Sequence, residues 1–338
     1  MNHAATLHEF SLQLAEPLTT AKGVATHRTG ILLCLADEEG RRGWGEASPL
    51  PGWPGPDLAE VTKALGEWTR GGPKPVRGAA AAAIDGAQLD LASRRRGVSL
   101  AEHLSRDFRD SVSVNALLDQ IDPEQLAEAA QTAVSRGFST LKIKVGTSPH
   151  DLDRVAQVRT VAPDAQIRLD ANQAWAFDDA VEFCRKAERF EIEFIEEPVA
   201  GGGEVLAELG TKIGIRLAAD ESLEGIEFDD LAVLRVDVLI IKPSTIGRHE
   251  RLVELAAKRP VVVTSFIDSA IGVATALQVA AALPGPQLAA GLATSKRFMS
   301  DVASLPEVRG GRLALPEGPG IGADPTAFLR DVASSNLS

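Results

Sequence analysis

The sequence predicts an α/β protein: a parallel barrel of strand–helix units joined to a smaller α+β domain. Three observations predict it. From about Ser111 onward, strand-like and helix-like stretches alternate with a repeat of roughly 20–28 residues, the size of one βα unit. Before that point the strands come first and the helices after them, the order of a compact α+β unit. Finally, several strand-like runs in the second part end on a charged residue. The 338 residues are enough for such a pair of units.

Residues from about 5 to 50 alternate in the manner of an antiparallel meander. Gly30 to Ala36 reads as a strand, Asp37-Glu38-Glu39-Gly40 as a turn, and Gly43 to Ala47 as the returning strand. The segment Pro49 to Pro56 breaks the pattern. Helices follow at about 57–70 and 78–94, the second rich in alanine.

In the second part, Val112 to Leu117 is a strand, and Asp122-Pro123 opens a helix with Asp122 as N-cap. Strands are expected at about 141–145, 166–170, 193–196, 215–219, 237–241, 260–264 and 287–291. Helices are expected between them at about 149–161, 177–188, 203–211, 227–234, 247–258 and 269–282. The glycine-rich turn Leu315 to Gly322 precedes no helix start that could cradle a phosphate.

Composition excludes several partners. The formal charge of −12 argues against nucleic acid and against an anionic membrane surface. Cys34 and Cys184 sit in apolar runs and read as buried free thiols. No basic-then-apolar leader and no apolar run of membrane-spanning length is seen, so a cytoplasmic protein is expected. The oligomeric state is left open, a monomer included.

The chemistry is concentrated at strand ends. On the strand Leu141 to Val145, Lys142 and Lys144 share one face, and the apolar residues take the other. Taken alone this is a solvated strand face. Two close ammonium groups also repel, which lowers the cost of losing one proton and suits a base. The strands that follow end in Asp170, Glu196 and Asp220, and the next runs into Lys242. A parallel barrel gathers such ends at one face. Three converging carboxylates call for a cation, and an all-oxygen set suits Mg²⁺ or Mn²⁺. No Cys or His ends a strand, which argues against zinc.

The ordered set Lys-x-Lys, Asp-x-Asn, Glu-Glu-Pro, Asp-Glu-Ser and Lys-Pro on five consecutive strands resembles the enolase superfamily, and within it the muconate-lactonising-enzyme subgroup. The likeness covers nearly the whole chain. It implies a (β/α)₇β TIM-like barrel at 109–300, an α+β capping domain at 1–108, and a C-terminal segment at 301–338 that returns to the cap. It implies Lys144 and Lys242 as catalytic residues and Asp170, Glu196 and Asp220 as metal ligands. Lys142, Asn172, Arg168, Glu197, Glu221, Thr264, Ser265, Gly291 and Leu292 are then the substrate-contacting or supporting positions.

The seventh strand reads Val263-Thr264-Ser265-Phe266-Ile267, without the histidine base of the mandelate-racemase subgroup. The eighth carries Gly291-Leu292-Ala293-Thr294, without the Asp-x-Asp of dipeptide epimerases. Gly43 to Gly52, Arg168 to Trp175 and Ser265 to Gly272 are similar to the o-succinylbenzoate synthase family, from which Gln173 and Phe266 depart. The resemblance implies a Mg²⁺-dependent (or Mn²⁺-dependent) dehydratase acting on a small anionic carboxylate. N-succinylamino acid racemisation is the alternative, and a non-enzymatic scaffold barrel or a Schiff-base lyase is disfavoured. Cap loops at Thr19–Gly23 and Leu50–Trp53 are expected to close over the substrate's tail.

Overall fold

The computed structural model of the chain describes residues 4–20, 23–294 and 297–335. It opens with an antiparallel meander of β1 (Ala4–Thr20), β2 (Gly23–Ala36) and β3 (Arg42–Ala47). One face of this sheet, carrying Ile31, Leu33, Leu35 and Ala47, packs on α1 (Leu58–Thr69) and α2 (Gly78–Arg96). A capping box between Asp57 and Glu60 fixes the start of α1 by satisfying backbone N–H groups that the first turn leaves free. The alanine run lets α2 approach β3 so closely that a Cβ on Gly45 would lie 1.9 Å from the Ala83 carbonyl oxygen. Only glycine fits there. A short helix the sequence did not suggest, α3 (Leu100–Leu104), is capped by Ser99.

After β4 (Ser111–Ser113) the barrel begins. β5 (Ala116–Leu118), β6 (Thr140–Lys144), β7 (Gln166–Asp170), β8 (Ile192–Glu196), β9 (Leu217–Ala219), β10 (Val238–Ile241) and β11 (Val261–Val263) form one parallel sheet in sequence order. The connecting helices are α4 (Pro123–Ser135), α5 (Asp151–Val161), α6 (Phe177–Ala187), α7 (Gly202–Gly210), α8 (Pro243–Ile246), α9 (His249–Ala256) and α10 (Ala270–Ala282). Asp122 caps α4 through the Glu124 and Gln125 N–H groups, with Pro123 in the first turn, as expected from the sequence.

Three expectations are corrected. The strand expected over 112–117 is two pieces: β4 leaves the barrel to pair antiparallel with Arg312–Ala314, and β5 enters it. The helix expected at 227–234 is a 3₁₀ segment, Phe228–Val233, anchored by buried Phe228 and Leu231, whose three-residue spacing suits that tighter turn. The helix expected at 247–258 is present as α9, and a short helix the sequence did not suggest, α8, precedes it, set off by the positive φ of Gly247 and Arg248. The strand expected at 287–291 supplies two bridge residues, Ala290 to Val114 and Gly291 to Thr264. Those bridges close the barrel through Asn115 N–H to Ala290 O at 3.0 Å and Ser265 N–H to Gly291 O at 3.2 Å.

The two-residue period of the strands separates two interiors. Outward-facing Leu141, Ile143, Ile167, Leu169, Ile195, Leu239 and Ile241 pack under the helices. Inward-facing Phe194, Ala218, Val238, Ile240 and Val262 fill the barrel core. The second face of the cap sheet, with Phe10, Leu12, Leu32 and Trp44, packs on α10 and on Phe298, Val302 and Ile321. Every residue of α10 is buried, as its all-round apolar sequence requires. Cys34 and Cys184 are buried free thiols.

Asp90 of α2 is one bolt of this arrangement. Its carboxylate accepts from Trp44 N–H (2.8 Å), Ile321 N–H (2.7 Å) and Arg94 Nε (2.9 Å). Asp90→Ala leaves these donors without an acceptor, and a loss of about 3 kcal/mol in urea unfolding is expected. Burial pushes this carboxyl up to about 6. A folded value above the unfolded one means the group's contribution is complete below about pH 4 and is lost as pH rises through about 6. The wild-type stability profile should therefore carry a falling component in that window that the alanine variant lacks.

Candidate active site

The inward rows of the strands end in charge at the carboxyl face of the barrel. Lys144 ends β6, Asp170 ends β7 and Glu196 ends β8, while Asp220 and Lys242 directly follow β9 and β10. The register of β6 on β7 sets Lys144 opposite Asp170, and that of β7 on β8 sets Asp170 opposite Glu196. Leu141, Ile143 and Val145 are buried on the opposite face of β6, as expected from the sequence.

Lysine ammonium groups bridge the three carboxylates. Lys142 Nζ lies 2.8 Å from Asp170 Oδ2 and 2.7 Å from Glu196 Oε2. Lys144 Nζ donates to Asp170 Oδ2 at 2.6 Å and to Asn172 Oδ1 at 2.5 Å. Lys242 Nζ pairs with Asp220 Oδ1. Burial raises the Glu196 carboxyl to about 7, and the neighbouring Asp170 charge adds to the shift. Burial also raises Asp220, with Lys242 opposing. Asp170 is buried too, but Lys142 and Lys144 hold its carboxyl below the ordinary range. For Lys142 the expected lowering by a like charge is reversed. Burial favours its neutral form, but Asp170 and Glu196 outweigh that and raise it.

A hydrogen-bonded shell centred on the buried Glu197 holds this layer in place. Glu197 accepts from Asp220 N–H and Ser222 N–H, each at 2.7 Å, from Ser222 Oγ at 2.9 Å and from Gln173 Nε2 at 2.9 Å. Asn172 Nδ2 donates to Glu221 Oε1 at 2.9 Å, which completes a chain from Lys144 to Glu221. Asn172, Gln173 and Glu197 have φ of 41°, 62° and 43°. Such left-handed backbone at three non-glycine residues persists where the surroundings over-determine it, and functional sites are where it concentrates.

Other expected residues are placed differently. Arg168 faces inward but lies below the acidic layer, donating to Glu193 Oε2 and Ala289 O at 2.5 Å each and stacking on Phe194. Leu292 is buried in the outer core and does not face the cleft. Thr264 and Gly291 serve the barrel closure, with Thr264 Oγ1 donating to Gly291 O at 3.1 Å. Ser265 Oγ is 3.3 Å from Thr294 Oγ1 at the same rim. The loop Thr19–Gly23 includes Ala21 and Lys22, which lie outside the described residues.

The second cap loop does reach the site. A cavity of about 520 Å³ is lined by Leu50, Trp53, Asp220, Ile240, Lys242 and Phe266, among others. Trp53 Nε1 donates to Glu224 Oε1 at 2.7 Å. Phe266, noted in the sequence as a departure from the family pattern, lies in this cavity lining. Glu224 was missed by the sequence reading, because it carries no motif and only the folded chain brings it to Trp53. A second cavity of about 530 Å³, lined by Arg216, Pro260 and Leu288, lies at the amino end of the strands, away from these groups.

The donor set fits a hard divalent cation. Among the described residues no acidic trio already stands in ligating arrangement, because the carboxylates are turned to the lysines. Yet three carboxylates are buried together, burial opposes the ionised state of Glu196 and Asp220, and Glu221 Oε2 is buried without a partner. A cation offers these oxygens the charge they lack.

Comparison with known proteins agrees with this layout. The family described as enolase C-terminal domain-like matches residues 125–328. An o-succinylbenzoate synthase from Thermobifida fusca is 33% identical over 302 residues, covering 86% of this chain and 82% of the relative. A dipeptide epimerase from Enterococcus faecalis, solved with Mg and L-Leu-L-Tyr, superposes with a TM-score of 0.84 at 26% identity, over 96% of this chain and 100% of that one. An N-succinyl Arg/Lys racemase from Bacillus cereus shares the fold, with a TM-score of 0.83 at 23% identity, over 96% of this chain and 95% of that one. The strand-end residues and the matches over most of both chains lead to one conclusion: the chain belongs to the o-succinylbenzoate synthase family of the enolase superfamily.

Proposed function

We propose that the protein is a metal-dependent dehydratase, converting 2-succinyl-6-hydroxy-2,4-cyclohexadiene-1-carboxylate to 2-succinylbenzoate in menaquinone biosynthesis. The observation that carries this reading is a pair of lysines, Lys144 and Lys242, flanking three buried strand-end carboxylates. Mg²⁺ is the proposed ion and Mn²⁺ its alternative, held by Asp170, Glu196 and Asp220. When bound, it supplies positive charge that neutralises the substrate carboxylate as the adjacent C–H is deprotonated. Lys144 Nζ, neutral at that moment, takes the proton, and the C–H electron pair moves toward the carboxylate. The pair then returns to form the ring double bond as the β C–O bond breaks. Lys144 gives its proton to the departing oxygen, so that water leaves on the same face. Asn172 orients Lys144 throughout, and Lys242 supplies fixed charge on the far side. Aromatisation drives the elimination.

No described helix is long and apolar enough to cross a membrane. A cytoplasmic location and a small anionic substrate belong to the same proposal. The direct test offers the protein both substrate classes. Ultraviolet detection of the aromatic product is expected with the cyclohexadiene carboxylate. Racemisation of N-succinylamino acids without any aromatisation would overturn the reading.

The same two lysines favour racemisation as the second reading, because a racemase needs a proton carrier on each face. Lys242→Arg separates the two. Arginine keeps the charge but stays ionised. In the dehydratase it should retain more activity than Lys144→Arg, with substrate Kd measured alongside to control for fit. A Lys242→Arg protein that binds substrate normally yet is as inactive as Lys144→Ala would show that Lys242 carries a proton.

A further inference from the structure

The Lys242 ammonium sits against two aromatic rings. Nζ lies 4.1 Å from the centroid of the Trp53 ring and 5.3 Å from that of Phe266. The two rings meet edge to face, with centroids 5.0 Å apart and planes at 77°. Asp220 is its carboxylate partner. We propose that Trp53 and Phe266 form an aromatic clamp that positions the Lys242 ammonium for the dehydration, and that docking of the cap sets this clamp.

Both rings are held from the cap side. Trp53 belongs to the loop that follows β3, and its indole N–H is fixed on Glu224 at 2.7 Å, in the connection between β9 and β10. Phe266 N–H donates to Asp268 Oδ2 at 2.8 Å. Arg28 of β2 donates to Phe266 O at 3.2 Å and to Ile267 O at 3.0 Å. Ile267 has φ of 56°, a conformation a β-branched residue keeps only under such constraint. Glu46 of β3 accepts from Ser269 N–H at 2.9 Å and Gly272 N–H at 2.8 Å, pinning the following helix start to the cap. Cap strands and barrel loop therefore fix the ring positions together.

An aromatic face attracts an ammonium group, and the attraction grows when water is excluded. A lysine stem has several rotatable bonds, so an unclamped ammonium spreads over many positions. Placement matters most in the transition state, where negative charge grows opposite Lys242. Ordinary core packing explains Phe266, which is buried. It does not explain Trp53, which is half-buried on a turn and whose indole is placed by Glu224, Phe266 and Lys242.

The inference rests on the dehydratase reading only through the choice of assay. The experiment measures kcat, KM and urea midpoints for Trp53→Leu, Trp53→Phe and Phe266→Leu, each with Lys242 and with Lys242→Met. Trp53→Leu should lower kcat about tenfold with KM changed less than about threefold, as expected for loss of a desolvated cation–π contact. Trp53→Phe should recover most of that loss, and Phe266→Leu should resemble Trp53→Leu. With Lys242→Met in place, Trp53→Leu should cost nothing further. A loss carried by KM, or an equal loss in both backgrounds, would make Trp53 a substrate wall and overturn the clamp. If the wild-type protein does not aromatise the substrate, the dehydratase reading falls and the urea midpoints decide the clamp. The drop caused by Trp53→Leu should then shrink in the Lys242→Met background, and equal drops would refute it.

Discussion

Lys144→Ala is expected to abolish aromatisation while leaving the fold intact. A general base contributes about 10²–10⁴-fold, and the lost positioning adds to that. The Lys144 side chain is 34% exposed, so its removal opens no core cavity. Asp170 keeps a cationic partner in Lys142, 2.8 Å away. Lys142 is a poor replacement, because its Asp170 and Glu196 partners favour its charged form. Circular dichroism and the urea midpoint should match wild type while kcat collapses. Retention of more than about a tenth of the activity, well above what loss of a general base allows, would place the base elsewhere.

Asp220→Asn is expected to remove most activity by a different route, through ion binding. Asp220 pairs with Lys242, and its backbone N–H is anchored on the buried Glu197 carboxylate at 2.7 Å. The amide keeps the shape and loses the charge, so the backbone should stay in place. Affinity for Mg²⁺ should fall by about tenfold or more, since replacing even a residue that only supports a ligand costs 10–100-fold. Calorimetric titration separates this variant from Lys144→Ala, which should bind the ion nearly as wild type does. Full Mg²⁺ affinity in Asp220→Asn would remove Asp220 from the ligand set.

The inward row of charges was legible because a strand repeats every two residues. Lys142, Lys144 and the carboxylates Asp170, Glu196 and Asp220 follow from that period and from where strands end. Depth was not legible. Arg168 and Asp170 share a face of β7, yet only Asp170 reaches the carboxyl rim, and Arg168 is spent on Glu193 and Ala289 inside the barrel. Leu292 looked like a rim residue and is core. Barrel closure was overread as a full strand, because Ala290 and Gly291 make their bonds within a longer apolar run. The contacts of Arg28 with the loop after β11, and of Trp53 with Glu224, join residues 239 and 171 positions apart, and no local pattern encodes them.

The most direct measurement is a Mg²⁺ titration of metal-stripped protein, followed by the ultraviolet change as the cyclohexadiene substrate aromatises. The account predicts no enzymatic turnover without a divalent ion and a saturable rise to full rate as Mg²⁺ is added. It also predicts that Lys144→Ala stays at the uncatalysed rate at every Mg²⁺ concentration. Equal turnover in the presence of a chelator, or none with saturating Mg²⁺, would contradict it.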